Sequence, residues 1–109
     1  MNKTILMTIR DLLLVSLCVG ALHAMPAPTR VQFGGPAGLA YNPSRVVVHA
    51  GEMVQWQGSF NIHPLISDDN LWPTQATGTS FLFTFTKPGT YRYHCGRHSV
   101  MQGTVQVVE

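Results

Sequence analysis

Charge is scarce in this chain of 109 residues: Asp, Glu, Lys and Arg together make up 11%. No basic cluster of the kind that captures phosphate backbones is present, which argues against a nucleic-acid partner. Cysteine is scarcer still, with only Cys18 and Cys95. The apolar run from Leu12 to Leu22 is too short to cross a bilayer as a stable helix. Internal repeats and low-complexity tracts are absent, and no stretch after Ala24 carries a helical period. A helical fold is thereby set aside.

What the first residues do offer is an address. Lys3 and Arg10 precede the apolar run, and small residues follow it. Leu22-His23-Ala24 and Val19-Gly20-Ala21 both provide peptidase sites, so residues 1–24 read as an export signal cleaved after Ala24, with Ala21 as the second choice. An uncleaved anchor is the competing reading. Lipid attachment at Cys18 is disfavoured by the bulky Leu17 before it. The expected location is periplasmic or secreted, and the working domain is 25–109. It carries Arg30, Arg45, Lys87, Arg92 and Arg97 against Glu52, Asp68, Asp69 and Glu109. Cys95 is then its single thiol. Alone in an oxidising compartment it has no internal partner and invites oxidation. A metal bond removes that liability, and a domain this small often needs such a staple.

Along the domain, short runs alternate between turn signals. Arg30 to Phe33 reads as a strand closed by Gly34-Gly35-Pro36, and Tyr41-Asn42-Pro43-Ser44 reads as a turn. Arg45 to His49 and Met53 to Gln57 are strands separated by Ala50-Gly51-Glu52. Asp68 to Thr79 is polar and reads as a surface connection. Phe81, Phe83 and Phe85 fall at period two, which predicts one buried aromatic face. Thr90 to Cys95 and Thr104 to Val108 complete the series. Seven or so short strands predict an all-β sandwich.

Chemistry concentrates in Cys95-Gly96-Arg97-His98-Ser99-Val100-Met101. A thiolate, an imidazole and a thioether recur there at three-residue spacing, on a tight loop between paired strands. His63 lies upstream, just after the Trp56 strand. Singly, each residue has a plainer explanation: a surface histidine, a core methionine, an inert buried thiol. Their coincidence points to one metal site of His63, Cys95, His98 and Met101. Methionine is a poor zinc ligand. Two imidazoles, a thiolate and a distant thioether suit copper in both oxidation states and define an electron-transfer site. His94 should point to the opposite face from Cys95, and His49 sits at the far end of its strand. Both read as non-ligands.

With these residues in view, the sequence resembles the cupredoxin family of small blue-copper proteins, plastocyanin-, pseudoazurin- and amicyanin-like members above all. The likeness runs from about Tyr41 to Val108. It rests on Tyr41-Asn42-Pro43 through Val46-Val47-Val48, on Gly51-Glu52-Met53-Val54-Gln55-Trp56, and on Phe85-Thr86-Lys87-Pro88-Gly89-Thr90-Tyr91-Arg92-Tyr93-His94-Cys95. The two-residue gap from His98 to Met101 is similar to the short amicyanin-type loop. The resemblance implies a Greek-key sandwich of about eight strands, with one copper bound by His63 and His98 through Nδ1. It also implies a monomeric electron carrier, not an enzyme, that docks transiently with a redox partner near His98. Pro64 stands where many members have an asparagine tying the ligand loops together, so that tie is expected to be missing. Arg97 stands where many have proline, and puts a positive charge beside the docking surface. Periplasmic copper handling with the same ligands is the alternative role. A metal-free contact module would leave the Cys95–His98–Met101 spacing unexplained.

Overall fold

Eight strands carry the regular structure of residues 26–109, the part of the chain that the computed structural model describes. The expected export signal and its cleavage points lie outside those residues. In order the strands are β1 (Thr29–Phe33), β2 (Tyr41–Asn42), β3 (Arg45–His49), β4 (Met53–Gln57), β5 (Leu65–Ser67), β6 (Ser80–Thr84), β7 (Gly89–Cys95) and β8 (Gln102–Val108). A single 3-10 turn, Gly35–Ala37, interrupts them. The strands form two sheets of four, ordered β2-β1-β4-β6 and β3-β8-β7-β5. β1 with β4 and β3 with β8 run parallel, so both sheets are mixed. The all-β sandwich expected from the sequence is the fold observed.

Alternation explains why these segments are strands. In β3, Val46 and Val48 are buried while Arg45, Val47 and His49 are exposed. They stand opposite Val105 and Val107 of β8, also buried. Val31, Val54 and Trp56 from the first sheet meet Val48, Tyr93 and Val105 from the second in one buried cluster. At its centre Trp56 touches Trp72, Tyr93 and Phe81 with ring centroids 5.1, 5.3 and 6.0 Å apart, within the range where tilted aromatic pairs attract.

Four expectations need correction. Tyr41-Asn42, read as turn, pairs with β1 as a two-residue strand. Leu65–Ser67 forms β5 against the end of β7, where no strand was anticipated. The connection read as surface also sends Trp72 into the core, 6% exposed. The phenylalanine face is only half as buried as its alternation suggests. β6 is an edge strand, so Phe81 and Phe83 stay half-exposed while Phe85, just past it, is buried.

The strand directions gather three loops at one end: 34–40 after β1, 58–64 after β4 and 96–101 after β7. The β3–β4 turn and the end of β8 lie at the other, where the Ala50 N–H donates to the Val108 carbonyl.

Candidate metal centre

Cys95 is the last residue of β7 and Gln102 the first of β8, with His94 and Gln102 paired across the ladder. The hairpin loop between them is closed by its own main chain. The Cys95 N–H donates to the Met101 carbonyl at 3.0 Å, and the Met101 N–H donates to the His98 carbonyl at 3.0 Å. These two bonds hold the backbone at Cys95, His98 and Met101 without help from a metal.

His63 arrives on the crossover from β4 to β5, where its N–H donates to the Ser59 carbonyl at 2.9 Å. The next residue, Pro64, has no N–H to offer, but its carbonyl accepts the Gly96 N–H at 2.9 Å. The loops that carry His63 and Cys95 are therefore tied together after all. This overturns the expectation that proline at this position leaves them unlinked: the tie runs through the acceptor side of the peptide.

The side chains converge accordingly. Cys95 Sγ lies 3.8 Å from His63 Nδ1 and 3.7 Å from His98 Nδ1, and the two Nδ1 atoms are 3.2 Å apart. Three donors at about 2.0–2.3 Å from a common ion and near 120° to one another would stand about 3.5–3.8 Å apart. The triangle has that size, with the histidine edge slightly contracted. Among the described residues it is the one group of three His, Cys, Asp or Glu side chains so placed. Cys95 and His63 are buried, Met101 is fully buried, and His98 is half-buried. A soft thiolate beside two imidazoles fits copper.

Protonation favours the same chemistry. Burial, then the neighbouring His98, then the Arg97 charge all lower the pKa of His63. Its imidazole is held neutral, leaving a ring nitrogen free to donate to a metal. Burial, and after it Cys95 and Tyr93, raise the Tyr41 phenol far above its ordinary value. Burial pushes Tyr93 up to about 12. Both phenols therefore stay neutral.

The two other histidines considered lie elsewhere, as anticipated. His94 faces outward, with Nδ1 2.6 Å from Asp68 Oδ1. His49 reaches the Glu109 carbonyl at 2.9 Å, at the far end. Two features of the site escaped the sequence reading. Phe33 packs edge-on against His63 at 5.9 Å, and Gly34 follows with φ 71°. A Cβ at Gly34 would sit 3.4 Å from His63 Cδ2 and Nε2. In the sequence the Gly34-Gly35 pair is the signal for it, and reads only as a turn. The second is the Arg97 main-chain N–H, which donates to Cys95 Sγ at 3.4 Å.

Comparison with known proteins agrees with this geometry. The profile of copper binding proteins of the plastocyanin/azurin family matches residues 29–108. A plastocyanin from Scenedesmus fuscus is 31% identical over a 94-residue alignment, which covers 71% of this chain and 96% of that one. Amicyanin from Paracoccus versutus superposes with a TM-score of 0.59 at 22% identity, over 77% of this chain and 85% of its own. A copper-containing nitrite reductase from Thermus scotoductus superposes with a TM-score of 0.60 at 27% identity, over 77% of this chain. The match spans only 23% of the reductase.

Proposed function

Because the chain belongs to the plastocyanin/azurin family of copper-binding proteins, we propose that it is an exported, mononuclear blue-copper electron carrier. Copper is its cofactor, and His63, Cys95, His98 and Met101 are the proposed ligands. The observation that carries the assignment is the triangle of Cys95 Sγ and two imidazole Nδ1 atoms, 3.2–3.8 Å on a side. Copper supplies a one-electron step between its two common oxidation states.

The chain's own residues do the rest. The cross-loop bond from Gly96 to Pro64 and the turn from His98 to Met101 hold the donors where both oxidation states can share them. Little then has to move when the electron arrives or leaves. The buried position of Cys95 and Met101 keeps water away. Four protein donors would leave no position for a substrate, which favours a carrier over an enzyme. The half-buried His98 gives the electron its way to the surface, where a redox protein docks briefly. Residues 1–24 act as the leader and 25–109 as the mature monomer, in the periplasm or outside the cell.

The test is a visible spectrum of chain 25–109 titrated with Cu(II), followed by voltammetry. An intense blue or green band saturating at one copper per chain, lost in Cys95→Ser, with a reversible wave, is the expected result. A colourless protein that ignores copper would sink the proposal. A coloured protein that shows no reversible wave and hands its copper to an acceptor would instead establish copper handling.

A further inference from the structure

The loops 34–40, 58–64 and 96–101 around the donor triangle contain one charged residue between them, the exposed Arg97. Each also turns one large apolar side chain to solvent: Leu39, Ile62 and Val100. The carboxylates lie elsewhere. Glu52 belongs to the β3–β4 turn and Glu109 follows β8, a strand of seven residues and hence about 20 Å long. Asp68 and Asp69 follow β5 on the flank, and Asp68 is engaged by His94. No ion pair to Arg97 is found among the described residues. The metal end is thus an apolar cap bearing one cation with no counter-ion among the described residues, while two of the acids stand at the opposite pole.

Such a cap selects its partner. A second copy docked end to end would bring Arg97 against Arg97, and a partner ringed by lysines would meet the same repulsion. An apolar face edged with carboxylates satisfies both the exposed side chains and the charge. We infer that the three-loop end docks a redox protein whose electron-transfer site is ringed by carboxylates, and that Arg97 is the steering charge. The inference rests on the electron-carrier reading and adds the chemistry of the partner.

The test compares two forms of one probe, a small c-type cytochrome with lysines about its haem edge and the same cytochrome with those lysines succinylated to carboxylates. Stopped-flow rates of electron exchange with the copper-loaded protein are read at low and high salt. The succinylated form should react faster at low salt, with the advantage shrinking as salt is added. Arg97→Gln should cut that advantage about threefold, and Arg97→Glu about tenfold, as expected for one and two charge units several ångströms from an anion in water. Glu52→Gln, at the far end, should leave it unchanged. Equal rates with both forms, indifferent to residue 97, would overturn the inference and leave the carrier reading intact. A blue, copper-loaded protein that exchanges electrons with neither form, nor with hexacyanoferrate, would overturn both.

Discussion

Arg97 contributes through its main chain as well as its charge. Its N–H donates to Cys95 Sγ at 3.4 Å, and Pro64 on the facing loop has no N–H to add. A donor at the sulfur stabilises electron density there, and so favours the reduced metal. Arg97→Pro removes the donor while Arg97→Gln keeps it. The proline variant should hold copper but show the lower reduction potential of the two. A bond of about 1 kcal/mol corresponds to about 40 mV for one electron. Equal potentials in the two variants would show that the contact carries no such weight. Met101→Gln, at the proposed fourth ligand, should likewise keep copper bound while shifting both band and potential, since a long, weak donor would tune the site without holding it alone. Gly34 makes a different demand. At φ 71° and ψ −173° it occupies a region essentially reserved for glycine, where other residues cost about 1–3 kcal/mol. A methyl there meets His63 at a tolerable 3.4 Å. Gly34→Ala should therefore lower the urea midpoint and leave the copper band in place.

At the scale of elements, the crossover from β4 to β5 decides where His63 lands, and it passes close to Phe33. A Cβ on Gly58 would come within 2.6 Å of the Phe33 carbonyl and 2.7 Å of its ring. Backbone cannot swing aside as a flexible side chain can. Gly58→Ala should destabilise the fold by about 1–3 kcal/mol and, unlike Gly34→Ala, loosen copper by displacing the loop that carries His63. Denaturant unfolding and copper affinity measured on both variants separate the two effects. The long connection from β5 to β6 is anchored by Trp72, which packs on Trp56, Phe81, Phe83 and Phe85. Trp72→Ala should cost about 3–5 kcal/mol with little change in colour.

These same elements show what the sequence reveals. β3 and β4 are legible to the residue, because Val46/Val48 and Val54/Trp56 alternate cleanly with polar or exposed positions. β5 is not, because three residues between Pro64 and Asp68 are too few to show a period. The Cys95–His98–Met101 spacing is local and so is visible directly, and His63 follows from its place after β4. What packs on the proposed ligands is set by contacts across the sandwich. Phe33 against His63, Tyr41 near Cys95 and the Pro64–Gly96 tie join segments distant in sequence, and no local pattern announces them.

For the molecule as a whole, copper and protons should act on stability in opposite directions. A metal bound only by the folded chain stabilises it by about 4 kcal/mol at a free concentration a thousandfold above Kd. Removal by a chelator should lower the melting temperature accordingly. In the metal-free protein, the lowered pKa of His63 means that the unfolded chain takes up its proton first. Its contribution to stability is present above the ordinary histidine range and is lost as pH falls through that range towards the lowered value. The urea midpoint of metal-free protein should drop between pH 7.5 and pH 5.5, with a smaller drop in His63→Gln. Identical slopes would assign the pH dependence to other groups.

The sheet order has a consequence in time. β8 lies between β3 and β7, yet it is made after every other described strand. A chain emerging from the ribosome or from a membrane pore carries β3 with no neighbour in its sheet until Gln102–Val108 follows. His63 waits through the synthesis of 32 further residues for the thiol it must meet. The second sheet cannot close in the order its strands appear: β3 joins β7 and β5 only when the strand between them arrives. A chain stopped short of Gln102 would hold every proposed ligand and still lack the strand that joins β3 to the rest of its sheet.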